Sequence, residues 1–410
     1  MKLGGRRYKQ MIKSVAPTKH KYGADVTWSA NTDTYRPALD GHGVDFEICA
    51  FKHNLKGTIL LNHQTDSVVE SEIKGALETG VLGVGAYFRA AEELQPQIDW
   101  LVKVLGRKPA YWSYAYGTRD HDDFVLANGL VSRLSSVSKV DYDFDDRLGH
   151  AVSSLFNYNV RDIDMATALT NARNALQSAI NTGGWYNDFS HWHWAEFYGD
   201  KNQIDQWLTD QKVLLNDVNY VSLSASEAVE YMWLRKQFKR GGLYQDGNEL
   251  VLVCDVINEE KIPYETINTS LSVKVDLTGT ILEGKDITGA TDIIKSSVNQ
   301  YIIQVPYSKY DGFRSIRLKG SATPNYLTLE KPQIITKGIE GTSLNVTTDA
   351  ETKLVAFSVP TGEELHNAII IQRSNTFAKK HSIDIRNFLD SDIYIGIVNK
   401  VGKSVLERAQ

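Results

Sequence analysis

The sequence predicts a multidomain chain, α/β first and all-β afterwards: a distorted (β/α) barrel over residues 22–240, then two immunoglobulin-like β-sandwiches over 241–322 and 323–410. Three observations carry this. Up to Gly241-Gly242, apolar runs alternate between strand spacing and helix spacing, which implies parallel strands with helices outside. Beyond that point the apolar period falls to two. All eight tryptophans lie between Trp28 and Trp233, so the chain changes character once. At 410 residues it also exceeds one ordinary core, and several domains are expected.

Residues 1–21 carry Lys2, Arg6, Arg7, Lys9, Lys13, Lys19 and Lys21, with no acid before Asp25. Such a run predicts a solvated, poorly ordered basic arm, or one that docks on an acidic partner surface. Gly57 to Asn62 reads as a short buried strand, followed by a helix near Glu70 to Thr79 and a strand over Val81 to Phe88. The next helix spans Ala90 to Leu105, with Leu94, Ile98, Leu101, Val102 and Leu105 on one face and Pro96 as a break or fresh start. Pro109 to Tyr116 is a further strand. Met165, Ala168, Leu169, Ala172, Leu176 and Ile180 fall at helical spacing, and Gly183 suits the C-cap. A strand from Trp185, a helix from Gln203 to Leu215 and a strand over Tyr220 to Leu223 follow. Ser224 and Glu227 form a capping box opening the last helix of the barrel. In such a barrel, active residues stand at the C-terminal strand ends.

In the all-β part Leu271, Val273, Val275 and Leu277 alternate with polar residues, as do Ile303 with Val305 and Ile316 with Leu318. Turn signals at Gln245 to Asn248 and Tyr310 to Gly312 separate strands. Pro324 and Pro332 bracket a linker. Leu344 with Val346, Ile383 with Ile385, and Ile393 with Ile395 and Ile397 mark the second β unit. Two sandwiches of under ~100 residues each are the simplest arrangement.

The net charge of −5 argues against a general nucleic-acid partner. No apolar run approaches the roughly 18 residues of a membrane span, and no apolar stretch near the N-terminus reads as a secretory signal. A cytoplasmic location is the default expectation. The two cysteines, Cys49 and Cys254, fall in different domains, so neither a disulfide framework nor a thiolate zinc site is expected.

The stretch from Gly183 to Trp194 concentrates chemistry: Trp185, Asp188, His191, Trp192, His193 and Trp194 lie within a dozen residues. Imidazoles exchange protons near neutral pH or bind metal. Indole faces stack on sugar rings. A carbohydrate site at a strand end fits this mixture, as does a buried aromatic strand with inert histidines. His193 is a candidate general acid or base, with Asp188 or Asp162 to orient it. Asn31 and Asp33, two apart at the end of a strand, either belong to a catalytic cluster or close the strand with an Asx turn. Trp112, Tyr114 and Tyr116 suit an aromatic wall for a glycan, with Trp192 beside it, and equally a barrel core. Arg89 is a candidate for an anionic sugar, and an ordinary surface ion pair is its other role.

The order of these segments resembles the polysaccharide deacetylases of carbohydrate esterase family 4 over about residues 22–240. Asp25 to Asp33 stands where that family carries Thr-Phe-Asp-Asp-Gly, and Lys56 to Leu61 is similar to its following strand. Trp112 to Gly117 resembles the Arg-Pro-Pro-Tyr-Gly strand end. Asp162 falls at the Asp-Trp motif, the His191 segment at the late Leu-His motif, and Tyr220 to Glu227 at the closing Phe-Val-Thr-Leu-Ser-Glu segment. The resemblance implies a distorted (β/α) barrel that removes acetyl groups from polysaccharide. It also implies a divalent, zinc-like metal held by an aspartate and two histidines, a second aspartate activating water, and a late histidine protonating the leaving group. The chain departs from that pattern. Asn31, Thr32 and Asp33 replace the paired aspartates, and Gly83 to Ala90 holds no histidine. A rebuilt metal set would draw on Asp33, His63, His191 and His193.

Three functional expectations follow. The chain deacetylates a cell-surface glycan, with Asp33, His193, Asp162 and Asp188 as catalytic candidates. Alternatively, a catalytically degenerate barrel binds glycan. In the third, the basic arm, the β-sandwiches and the missing signal suit a bacteriophage virion or tail protein, with a homo-oligomer or virion partner docked through the arm.

Overall fold

The computed structural model describes residues 2–3, 6–7, 11–33, 42–61, 74–75, 77, 82–88, 94–114, 121–128, 131–138, 150–152, 154–155, 164–190, 201–256, 269–290, 292–307 and 313–409. In chain order the elements begin with β1 (Lys2–Leu3), β2 (Arg6–Arg7), β3 (Met11–Pro17), β4 (Val26–Asp33), α1 (His42–His53), β5 (Gly57–Leu61) and β6 (Leu82–Phe88). Then come α2 (Leu94–Leu105), β7 (Tyr111–Tyr114), α3 (Asp122–Ala127), β8 (Val131–Ser138), β9 (His150–Val152), β10 (Ser154–Leu155) and α4 (Met165–Thr182). β11 (Trp185–Ser190), α5 (Lys201–Leu215), β12 (Tyr220–Ser222) and α6 (Ala225–Lys236) complete the α/β part. Thereafter the chain is strand-rich: β13 (Phe238–Asp246), β14 (Glu249–Val256), β15 (Ser270–Asp276), β16 (Ile287–Thr288), β17 (Ile293–Ser297), β18 (Gln300–Pro306) and β19 (Phe313–Gly320). It ends with β20 (Ile334–Glu340), β21 (Ser343–Pro360), β22 (Ile369–Arg373), β23 (Ala378–Asp384), β24 (Ser391–Asn399) and β25 (Ser404–Arg408).

Two compact units result, and both are discontinuous: residues 26–228 with 330–410, and residues 1–25 with 229–329. The sequence predicts domains that follow one another along the chain, whereas each unit here joins distant stretches.

In the first unit nine strands form one sheet in the order β10-β11-β4-β5-β6-β7-β8-β9, with β12 also pairing β4. Every pairing in it is parallel. This is the barrel-like α/β architecture expected from the strand–helix alternation. Strand parity sorts the side chains. Val26, Trp28 and Ala30 of β4 join Ile98 and Leu101 of α2, Leu176 of α4 and Trp207 of α5 in the apolar core. Thr27, Ser29 and Asn31 alternate with them and are also buried. Local signals set the helix ends. The Asp164 carboxylate accepts from the Thr167 amide at 2.8 Å, an N-cap, and Gly183 adopts φ 59° at the C-cap. Pro96 sits in the first turn of α2, where its missing N–H has no intrahelical partner to lose. The capping box is formed: the Ser224 amide donates to Glu227 Oε2 at 2.9 Å, and the Glu227 amide donates to Ser224 Oγ at 3.3 Å.

The C-terminal sheet of this unit runs β20-β21-β24-β25, with β22 and β23 also on β21. One face of β24 (Ile393, Ile395, Ile397) closes a core with Leu344, Val346, Leu354 and Ile383. The other side of the sheet supplies Val355, Phe357, Val359 and Val398 to the barrel core. The Phe51 and Phe357 rings meet edge-on at 6.0 Å. Gly396 permits this approach, because a Cβ there would fall 2.7 Å from the Phe51 ring. The free-standing sandwich expected over 323–410 is therefore corrected: part of this sheet is buried against α1, in one core with the barrel.

In the second unit an antiparallel sheet runs β16-β19-β14-β13-β3-β15-β18-β17. Leu271, Val273, Val275 and Leu277 are buried as their alternation predicts. β3 lies between β13 and β15, pairing Val15 with Gly241 and Ala16 with Lys274. The basic-arm expectation for 1–21 needs correction here. Residues 11–17 are a sheet strand, because β13 and β15 each leave an edge whose amides and carbonyls need a partner. The Lys13 amine is engaged too, donating to the Thr278 carbonyl, 3.9 Å from Asp276. A docking role for the arm therefore does not extend to residues 11–17. Among the described residues no helix is long and apolar enough to cross a membrane.

Candidate functional site

The barrel strands end in register. Thr32 pairs with Ser190, Asp33 with Leu60, Leu61 with Ala86, and Phe88 with Tyr114. The C-terminal ends of β11, β4, β5, β6 and β7 therefore stand side by side, the edge where (β/α) barrels place their chemistry. Asp33 and Tyr114 are the last residues of β4 and β7. In sequence His191 follows Ser190 directly, His63 follows Leu61 by two, Arg89 follows Phe88, and Tyr116 follows Tyr114 by two. His63, Arg89, Tyr116, Asp162, His191, Trp192 and His193 lie outside the described residues.

Beneath Asp33 the barrel interior holds a polar chain that sequence reasoning did not single out. The Trp185 indole N–H donates to Ser29 Oγ at 2.6 Å. Ser29 Oγ donates to Asn187 Oδ1 at 3.3 Å, and Asn187 Nδ2 donates to the Tyr111 hydroxyl at 2.9 Å. Asn31 Nδ2 donates to Asn187 Oδ1, and to the Asp188 carbonyl at 3.0 Å. The Tyr111 and Trp185 rings meet edge-on at 6.4 Å. All five side chains are buried, at 1% exposure or less. The signal available in the sequence was parity: Ser29 and Asn31 are two apart, as are Trp185 and Asn187. Asn31 Oδ1 is buried without a hydrogen-bond partner, an acceptor left open two residues before Asp33.

Two expected site residues are placed elsewhere. Asp188 alternates with Asn187 and takes the helix-side face. Its Oδ2 accepts the Tyr186 hydroxyl, and its Oδ1 accepts the Phe189 amide at 2.7 Å. Tyr186 in turn stacks on Trp28, whose indole donates to Gln211 of α5 at 3.4 Å. Burial, then the Asp188 charge, holds the Tyr186 hydroxyl well above its ordinary pKa, so it stays a donor. Asp188 is thus held within the wall and fully buried, and the His193 it is expected to orient lies outside the described residues. Trp112 is also fully buried, in the apolar core beside Phe124 at 6.0 Å between ring centroids. A ring with no exposed surface contacts no glycan, so Trp112 leaves the expected aromatic wall; its neighbour Tyr111 has the interior parity.

The implied metal is tested by donor chemistry. Zinc sites take at least three protein ligands. Among the described residues no three His, Cys, Asp or Glu side chains are grouped for a cation. One open amide oxygen, at Asn31, does not make such a site. The described residues alone therefore do not make up a divalent-metal site.

No protein-family model and no curated protein matches the chain. Solved structures similar to it include a protein assigned as a polysaccharide deacetylase from Mycobacterium smegmatis, at 15% identity and TM-score 0.42 over 55% of this chain and 96% of that one. Another is the chitin deacetylase of Colletotrichum lindemuthianum, at 10% identity and TM-score 0.34 over 50% and 87%. A third is a polysaccharide deacetylase of Bacillus cereus, at 11% identity and TM-score 0.32 over 48% and 91%. At this level of similarity no residue role transfers.

Proposed function

We propose that this chain is a polysaccharide-deacetylase-like hydrolase that removes acetyl groups from a cell-surface glycan. One observation supports it most. β4 and β11 are adjacent and parallel with Thr32 level with Ser190, so Asp33 and the start of the His191–His193 segment leave the sheet at one edge. In sequence an acid and imidazoles therefore adjoin the strand ends where a barrel works, which supports this reading. In the proposed reaction water adds to the acetyl carbonyl as Asp33 takes its proton. The bond to the sugar oxygen or nitrogen then breaks, with His193 supplying a proton to the leaving group. Acetate and the free hydroxyl or amine result. Asp162, Tyr114, Tyr116, Trp192 and Arg89 are proposed to line the substrate path.

A second reading is a glycan-binding barrel without turnover. Asn31 favours it: at the position of the family's paired aspartates stands an amide committed to Asn187 and the Asp188 carbonyl. An amide accepts no proton at neutral pH.

Acetate release from acetylated chitin oligomers, peptidoglycan and xylan separates the two, measured with and without added zinc. Turnover that is lost in both Asp33→Asn and His193→Ala supports the hydrolase. Glycan binding with no acetate released supports the second reading. Turnover unchanged in both variants overturns the site assignment.

A further inference from the structure

At the opposite end of the same barrel, two lysines gather round one tyrosine, and a third lies near them. Tyr220 opens β12 and pairs with Val26, the first residue of β4, so it stands at the strand starts. Lys403, just before β25, has its Nζ 3.6 Å from the Tyr220 ring centroid and donates to the Tyr220 carbonyl at 3.1 Å. Lys212 of α5 has its Nζ 4.7 Å from that centroid and donates to the Tyr220 hydroxyl at 2.6 Å. The two amines are therefore no farther apart than those centroid distances laid end to end. Lys331, in the segment before β20, is close enough for its charge to repel both. Asn54 fixes the frame: its Nδ2 donates to the Tyr220 hydroxyl at 2.9 Å, and its Oδ1 accepts the Ser404 amide at 2.6 Å.

The chemistry of this cluster is unbalanced. Among the described residues no carboxylate pairs with any of the three amines, although Lys52, Lys56, Lys295, Lys337 and Lys400 all have one. Like charges brought together in a partly buried place repel. Burial, then the charges of Lys212 and Lys331, push Lys403 down to about 7, and burial, then Lys331, pushes Lys212 down to about 8. An ammonium has three N–H donors. Lys403 and Lys212 each spend one on Tyr220, which leaves donors from three separate chain segments for one acceptor-rich anion.

We propose that the Lys212, Lys331 and Lys403 cluster at Tyr220 is an oxyanion site for a phosphate-type dianion, free or as a phosphomonoester. The anion supplies the missing negative charge, and its several oxygens match donors arriving from different directions. Binding returns protons to amines that burial and then repulsion have weakened, so it is accompanied by proton uptake at neutral pH. It also ties α5 to the segments that flank the C-terminal sheet.

The test uses the full chain at pH 7.5. Thermal unfolding is followed with inorganic phosphate, with glucose 6-phosphate, and with sodium chloride at matched ionic strength. Calorimetric titration in two buffers of different ionisation heat counts protons. Expected are a saturable rise in melting temperature beyond the chloride control, net proton uptake, and at least tenfold weaker binding in Lys331→Ala and Lys403→Met. Saturation by phosphate alone identifies the free ion as ligand, and saturation by the sugar phosphate as well identifies a monoester; either supports the site. If neither anion saturates, or if Lys331→Ala binds as the unaltered chain does, the proposal fails. Lys331 is exposed, so that variant remains decisive should Lys403→Met not fold.

Discussion

Arg373 of β22 grips Glu47 of α1 with two parallel hydrogen bonds, Nη2 to Oε2 at 2.8 Å and Nε to Oε1 at 3.3 Å, and Glu47 has no exposed surface. A buried carboxylate is tolerable only while it is paired. Arg373→Met removes both of these hydrogen bonds and is expected to cost about 3–5 kcal/mol in urea unfolding. Arg373→Met combined with Glu47→Leu should recover most of that, since no unpaired charge remains. A single-variant loss below ~1 kcal/mol would show that this pair does not hold the C-terminal sheet to α1.

Trp112 fills the core beside Phe124, so truncation should act through packing. Trp112→Ala is expected to lose about 3–5 kcal/mol of stability. Trp112→Phe should lose less and leave glycan affinity unchanged. A folded Trp112→Phe protein with clearly weakened glycan binding would return this residue to the site.

Lys403 gives a pH signature. Its folded-state value, about 7, lies below the ordinary 10.5, so between those values the unfolded chain binds more protons. Stability from this group is complete above about pH 10.5 and falls as pH drops toward 7. In phosphate-free buffer the melting temperature of the unaltered chain should therefore rise from pH 7 to pH 10 relative to Lys403→Met. Parallel curves for the two proteins would contradict the depressed amine.

Asp205 gives the opposite signature at acid pH. Its hydrogen bond to His53, 2.7 Å from it, and those from Lys52 hold the carboxyl down at about 2, from an ordinary 3.8. The stability it contributes is present above pH 4 and lost as pH falls through 2. Asp205→Asn should flatten that part of the acid limb. It should also cost about 1–3 kcal/mol at neutral pH, because His53 is almost fully buried and loses its charged partner. An acid limb unchanged in the variant would dismiss the pair.

Local rules were legible and long-range ones were not. The helix from Met165, the glycine stop at Gly183 and the Ser224–Glu227 box follow from spacing and capping within a few residues, and they form as expected. Burial of Leu271, Val273 and Val275 follows from period two. β3 was read as a solvated arm because its charges are local, whereas its partners lie more than 220 residues away at Gly241 and Lys274. Helix α1 was not anticipated, and its Phe51 meets Gly396 only through tertiary packing. At the candidate site the strand ends were legible from element order. The hydrogen bond that Asp188 accepts from Tyr186 was not legible, because it joins side chains two apart on one strand face that spacing alone does not pair.

The interleaving of the two units has a consequence for synthesis. Residues 11–17 are translated ahead of the barrel strands, yet their sheet neighbours β13 and β15 follow those strands in the chain. The barrel in turn receives the strands that cover α1 only after the strands of the other unit have been translated. The nascent chain must therefore carry an unpaired β segment while the barrel strands are translated, and neither unit can close before its own second half arrives.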